Sequence, residues 1–191
     1  RWILLELGIK TDIKIKDSWG KEDLIYFWEN KLDEKRLFCS WVNPIFKNIK
    51  INNPRNLTCF LIKKGKFIHD EINFIHDKKA ISLDNKSNKY INSIFNKSMT
   101  FYCYDPYSFF CIYSRICGCE TILYPLKNKS KYEYLKESIF NIEGTIYDIG
   151  IKYGIDNNVL EDFTVSIKPD DFINLLKKKN LDIVKRFLDE L

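Results

Sequence analysis

Residues 99–124 constrain the fold of this chain more than any other stretch. Met99–Tyr104 (MTFYCY) is nearly continuous apolar sequence, as expected of a strand covered on both faces. Asp105-Pro106 breaks it. Tyr107–Cys117 then reads as a buried helix, stopped by Gly118 at a C-cap position. Glu120–Tyr124 (ETILY) is again apolar and β-branched, and Pro125 closes it. Parallel strands need a crossover connection, so this pattern predicts that Met99–Cys103 and Glu120–Tyr124 are parallel neighbours with the helix crossing between them.

The alternation extends upstream. Asn56–Lys63 (NLTCFLIK) is a compact apolar strand ending in the basic turn Lys63-Lys64-Gly65-Lys66. A segment carrying His69 and His76 follows, then a short strand candidate at Ala80–Leu83. Asn88–Asn96 places Ile91, Ile94 and Phe95 at helical spacing. Strand, helix, strand, helix, strand implies an α/β fold, a Rossmann-like parallel sheet flanked by helices. The tail adds two amphipathic helices. Pro169 and Asp170-Asp171 open the first, which runs to about Lys179, and Leu181–Leu191 forms the second. The start is less regular. Arg1–Leu7 and Leu24–Trp28 resemble buried strands separated by a polar stretch with Gly8, Asp17 and Gly20. Asn43-Pro44 and Asn52-Asn53-Pro54-Arg55 signal turns. A break near Asn53 divides a partial N-terminal half with its linker (1–53) from the Rossmann-like domain (54–191).

Composition excludes several classes. The 191 residues are 45% hydrophobic and 15% aromatic, enough for a substantial core and too apolar for disorder. The net charge of +5 comes from lysines scattered among acids, which is no nucleic-acid stripe. No apolar run approaches the ~18–20 residues of a membrane span. A chain opening Arg1-Trp2 shows no signal peptide and reads as processed, or as a piece of a longer one. Six cysteines form no CxxC pair, and only two histidines accompany them, so no zinc site is expected. Reduced, mostly buried thiols in a cytoplasmic protein are the expectation.

The candidate site lies in Tyr102–Ser108. In open α/β sheets ligands bind beyond the carboxyl ends of the strands, at the switch in strand order, and a helix beginning there offers free N–H groups to an anion. Ser108 adds a hydroxyl. The Lys63–Lys66 turn also follows a strand's carboxyl end, so its ammoniums can converge on the same phosphates. A diphosphate is the simplest ligand that uses both turns. Simpler roles remain open: Asp105 as a helix N-cap with Pro106 at N1, Tyr102, Tyr104, Tyr107 and Tyr113 as core, and KKGK as an ordinary surface turn.

The run IFNKSMTFYCYDPYSFFCIYSRICGCETILYP resembles the second Rossmann domain of GT-B-type glycosyltransferases, and is most similar to bacterial surface-polysaccharide proteins with a "YDPYT…CGC…P" segment after a "CFLIKKGK"-like strand. The resemblance covers roughly residues 55–125. It implies a nucleotide-diphosphate sugar as donor substrate, with no metal and no cofactor. Retaining members carry two glutamates eight positions apart, the later one gripping the ribose. Here those positions are Asp105, which keeps a carboxylate, and Tyr113, which does not. The basic pair that neutralises the leaving diphosphate maps to Lys63 and either Lys64 or Lys66. Lys63, Lys64 and Asp105 are thus the candidate catalytic residues, and Lys66, Tyr104, Tyr107, Ser108 and Tyr113 the candidate substrate-binding ones.

The resulting expectation is a glycosyltransferase of surface-glycan synthesis, this chain carrying mainly the donor-binding half. Its partners would be a nucleotide sugar and a glycan or lipid-linked acceptor, with peripheral contact at the inner face of the membrane and no nucleic acid. Two other readings stand beside it. The missing carboxylate at Tyr113 suits a non-catalytic Rossmann-like binding or scaffold domain of a glycan-biosynthesis system. A different phosphoryl-ligand enzyme on the same fold is the third, although the absence of GxGxxG disfavours a dinucleotide.

Overall fold

The computed structural model describes residues 43–49, 54–155 and 164–189. The strands expected over Arg1–Leu7 and Leu24–Trp28, the Asn52-Asn53 half of the second turn, and Cys39 lie outside the described residues. One compact unit spans Trp41–Leu176, while residues 1–40 and 177–191 make up a second.

Five strands form an all-parallel sheet: β1 (Leu57–Leu61), β2 (Ile81–Ser82), β3 (Ser98–Cys103), β4 (Glu120–Leu123) and β7 (Ile151–Tyr153), in the order β2-β1-β3-β4-β7. The pairing of β3 with β4 is parallel, Thr100 opposite Glu120 and Cys103 opposite Leu123. The helix between them, α3 (Phe110–Ile116), crosses as its flanking apolar runs require. Two further helices connect the first strands, α1 (Gly65–Ile68) after β1 and α2 (Asn88–Phe95) after β2. The α/β, Rossmann-like parallel sheet is therefore present.

Strand alternation distributes the side chains of β3 to two faces. Phe101 meets Phe95 of α2 on one face, with ring centroids 4.9 Å apart. Tyr102 and Tyr104 point the other way, towards His76. On β4, Thr121 shares a 2.6 Å hydrogen bond with Ser114 of α3, while Tyr124 lies against Tyr104 and His69 on the opposite face. Gly118 ends α3 as its sequence position suggests. It takes φ +90°, its N–H bonds to Arg115 O, and Cys119 N bonds to Ser114 O, the paired bonds of a Schellman motif.

Residues 43–49, which lie upstream of the break read near Asn53, pack on this same unit. Phe46 stacks on Tyr113 at 4.1 Å and meets Phe95 and Phe110. Arg55 then bridges the amino ends of the strands, donating to the carbonyls of Phe95, Ser98 and Cys117 and to Asn48. The five described cysteines are free and buried.

Beyond β4, α4 (Lys131–Lys136) opens with a capping box of Ser130 and Glu133. A hairpin of β5 (Asn141–Ile142) and β6 (Thr145–Asp148) follows, and β6 also pairs with β8 (Val165–Ser166). Where the sequence suggested two C-terminal helices, a single helix α5 (Pro169–Asp189) runs through. The reason is local: the Lys177–Asn180 junction holds neither Gly nor Pro, so nothing interrupts the backbone ladder. Phe172, at its start, is buried against Phe140 and Tyr147.

Candidate functional site

The strand order reverses between β1 and β3. From β1 the chain leaves to β2 on one side, and β3 and β4 then build outward on the other. The carboxyl ends of β1 and β3 are therefore the rim at which an open α/β sheet binds its ligand. Two turns meet there, the Lys63–Lys66 turn and the 104–108 turn. Tyr104 N donates to Leu61 O at 2.9 Å, continuing the ladder one step past the strands. Gly65 lies so close that a Cβ built on it falls 2.2 Å from Tyr104 O. Only a residue without a side chain permits this approach, which seats the basic turn directly on the end of β3.

The basic turn is held in an uncommon conformation. Lys63 has φ +40°, a left-handed backbone for a residue with a side chain. Asp84, just past β2, holds it there. Its carboxylate accepts the Lys63 N–H at 2.8 Å and the Ile62 N–H at 3.1 Å. From this position Lys63 Nζ reaches 4.3 Å from the centroid of the Phe110 ring in the first turn of α3, a cation–π contact across the rim. Lys66 Nζ lies over its exposed neighbour Phe67. Lys63, Lys64 and Lys66 are all solvent-exposed. Among the described residues none of the three is in an ion pair, whereas Lys127, Lys129, Lys131 and Lys152 are paired with Asp70, Glu137, Asp148 and Glu120. Three ammoniums in one four-residue turn, against the single Asp84 carboxylate bonded to its backbone, leave a net positive charge at the sheet's carboxyl rim.

The 104–108 turn differs from the sequence expectation in detail. The helix starts at Phe110 rather than Tyr107, so Asp105 is not its N-cap. Instead Asp105 Oδ1 accepts Tyr107 N at 3.2 Å, closing an Asx turn over Pro106. The physical cause is tertiary: the Pro106 carbonyl accepts the buried Tyr134 hydroxyl at 2.8 Å, which holds this segment out of helical register. Several amides expected to face an anion are engaged inside the turn. Ser108 N donates to Asp105 O, Phe110 N to Ser108 Oγ, and Cys111 N to Ser108 O. What the rim offers an anion is therefore mainly ammonium charge. Asp105 itself is buried.

The tyrosines separate. Tyr107 is 62% exposed on the rim, where a ring is available to a ligand. Tyr104 is fully buried. Its hydroxyl accepts Ile75 N at 3.0 Å and shares a 2.7 Å hydrogen bond with His76 Nδ1, and its carbonyl accepts His69 Nε2–H at 2.9 Å. It anchors the irregular segment 69–76 to the sheet. Burial raises its hydroxyl pKa and lowers that of His76. Tyr113 faces the core, stacked on Phe46 and accepting Asn43 N at 3.1 Å, turned away from the rim. The structure thus brings Lys63, Lys64, Lys66, Tyr107 and Ser108 to one edge with the buried Asp105, and sets Tyr104 and Tyr113 in the interior.

Sequence reading passed over Asp84 and both histidines as parts of the site. Asp84 carried a signal, since an acidic residue one step past a short strand sits at a carboxyl edge whenever the sheet is parallel. The histidines carried none, because their shared partner Tyr104 is far along the chain. Among the described residues no group of three His, Cys, Asp or Glu side chains could hold a metal ion, and no helix is long and apolar enough to cross a membrane. Comparison with protein-family models, with curated proteins and with solved structures returns no match.

Proposed function

We propose that this chain binds a nucleotide-diphosphate sugar at the β1/β3 rim and supplies the donor-binding half of a GT-B-type glycosyltransferase acting in surface-glycan synthesis. The observation that carries the reading is the seating of three unpaired lysines on the end of β3 at the switch in strand order. In glycosyl transfer the bond from the anomeric carbon to the β-phosphate oxygen breaks, and its electron pair stays on the leaving diphosphate. The acceptor hydroxyl forms the new bond to that carbon and gives its proton to a base on the acceptor side. Lys63 and Lys64 stabilise the charge growing on the diphosphate, which ammoniums placed at its oxygens do most strongly in the transition state. Lys66 and Ser108 hold the phosphates, and Tyr107 offers a ring to the nucleotide. The acceptor in this reading is a glycan or lipid-linked glycan, met at the inner face of the membrane.

The test is calorimetric titration with several nucleoside diphosphates. A charge-assisted phosphate contact is worth roughly 1.5–3 kcal/mol. Removing Lys63 or Lys64 should therefore weaken binding by about 10- to 150-fold. Lysine variants that bind as tightly as the wild type would refute the site. A second reading, a non-catalytic binding or scaffold domain, is favoured by one observation: Tyr113 is in the core, so the rim lacks the family's second carboxylate. Donor binding without any sugar hydrolysis or transfer would select it.

A further inference from the structure

The carboxyl edge of the parallel sheet holds apolar side chains in solvent as well as lysines. Phe67 of α1, after β1, is 79% exposed, and Tyr90 in the first turn of α2, after β2, is 41% exposed. Tyr107 after β3 and Ile155 just past β7 are exposed as well. All the strands of this sheet run the same way, so segments that leave their carboxyl ends share one edge. Ammoniums are set among the rings. Lys66 Nζ lies 4.7 Å from the Phe67 ring centroid, and Lys86 Nζ lies 5.7 Å from that of Tyr90. Lys86 and Lys89 are exposed and, among the described residues, in no ion pair. The acids close to them in the chain are Asp70, Glu71 and Asp84. Asp70 is paired with Lys127 and Asp84 is bonded to backbone amides, so positive charge prevails.

This arrangement selects among partners. A protein interface has a contiguous apolar centre with a polar rim. Here the rings are spaced from strand to strand, and ammoniums stand between them. The surface of a bilayer accepts that pattern, because each ring enters the headgroup layer on its own while each ammonium stays at the lipid phosphates. The excess of lysine favours an anionic surface.

We propose that this carboxyl edge docks on a bilayer containing anionic lipid, with Phe67 and Tyr90 in the headgroup layer and Lys86 and Lys89 at its phosphates. The proposal rests on the reading of a membrane-borne acceptor given above and names the surface that meets the membrane. It sets the Lys63–Lys66 turn beside the headgroups, so a lipid-linked acceptor reaches the donor without leaving the bilayer.

The test is flotation of the whole chain with vesicles of phosphatidylcholine alone and of phosphatidylcholine mixed with phosphatidylglycerol. Binding is expected to the mixed vesicles only. It should weaken as salt shortens the screening length from ~10 Å at 0.1 M to ~3 Å at 1 M. A lysine near an anionic surface is worth about fivefold in partitioning, so joint Lys86→Gln and Lys89→Gln substitution should lose roughly 25-fold. Phe67→Ser should lose about tenfold. None of these residues holds the donor, so both variants should bind nucleoside diphosphates like the wild type when no vesicle is present. Weaker nucleotide binding by either variant would return its residues to the donor site and overturn the proposal. No binding to mixed vesicles, equal binding to neutral ones, or undiminished binding of the variants overturns the docking edge and leaves the nucleotide-diphosphate reading standing. Capture by single-stranded RNA in preference to the mixed vesicles overturns it too, since rings beside lysines also take stacked bases. Vesicle binding as expected, with no nucleoside diphosphate bound, upholds the docking edge and overturns the donor reading instead.

Discussion

Replacing Gly65 with alanine puts a methyl carbon 2.2 Å from the carbonyl oxygen and 2.7 Å from the carbonyl carbon of Tyr104. Carbon contacts are comfortable at about 3.5 Å or more, so the β1 turn and the end of β3 must separate by roughly 1 Å. Neither side yields cheaply. Tyr104 O receives His69 Nε2–H, Tyr104 N donates to Leu61 O, and the Tyr104 side chain is fully enclosed. Overpacking of this kind costs ~1–3 kcal/mol, and loosening one of these hydrogen bonds adds ~1 kcal/mol. Alanine's better helix preference at the start of α1 returns up to ~1 kcal/mol. The net is about 2 kcal/mol, equivalent to a melting temperature lower by ~4–8 °C for a chain of this size. Thermal and urea denaturation of Gly65→Ala beside Lys66→Ala measures it, because the exposed lysine should change stability by less than about 0.5 kcal/mol. The same displacement moves Lys63 and Lys64 off the end of β3, so nucleoside-diphosphate affinity should fall with stability. A Gly65→Ala protein as stable as the wild type would refute the contact, and with it the reason for placing the basic turn on that rim.

Other perturbations report on other parts of the structure. Lys131 and Asp148 form an ion pair at 2.5 Å, with side chains only 13% and 3% exposed. Lys131→Met should cost ~3–5 kcal/mol by leaving the carboxylate buried with Gly150 N as its remaining partner, and a melting curve shifted by less than 2 °C would contradict this. His76 has its pKa lowered by burial, against a smaller opposing effect of Asp77, so its folded value lies below the unfolded ~6.5. Its contribution is intact above pH 6.5 and is lost as pH falls below that value, because only the unfolded chain then binds the proton. Stability should fall more steeply from pH 7 to pH 5 in the wild type than in His76→Asn, and parallel slopes would exclude the effect. Burial pushes the Cys59 and Cys117 thiols up to about 12 and raises those of Cys103 and Cys119 as well. A thiol reagent at pH 8 should leave all four unmodified in the folded protein and label them in denaturant, and rapid labelling of the native chain would contradict their burial.

Four strands of the sheet, at 57–61, 81–82, 98–103 and 120–123, and the helices at 88–95 and 110–116 were legible in the sequence because their signals are local, whereas the edge strand Ile151–Tyr153 and the single turn of α1 are too short to announce themselves. A strand covered on both faces reads as an unbroken apolar run, as Met99–Tyr104 does. The ladder then requires only a crossover of suitable length, which 107–117 provides. Gly118 marked the end of α3 because a left-handed C′ residue is a one-residue property. Local signals also placed Lys63–Lys66 and the 105–108 turn at carboxyl edges, since strand direction follows from the connections. Tertiary structure decided how those edges are built. Asp105-Pro106 has the chemistry of a helix start, yet Tyr134, 28 residues later, takes the Pro106 carbonyl and turns Asp105 into the head of an Asx turn. Tyr104 and Tyr113 each have the aromatic face and hydroxyl of a ligand-binding residue. Their environments were set by partners at His76 and Phe46, which no periodicity around residue 104 or 113 encodes. Asp84 became part of the rim only when β2 paired with β1 and its carboxylate met the amides of Ile62 and Lys63. Apolar period and turn chemistry act over a few residues and can be read from a string of letters. A hydrogen-bond partner or a stacking surface is fixed by which distant segments the packed core brings together.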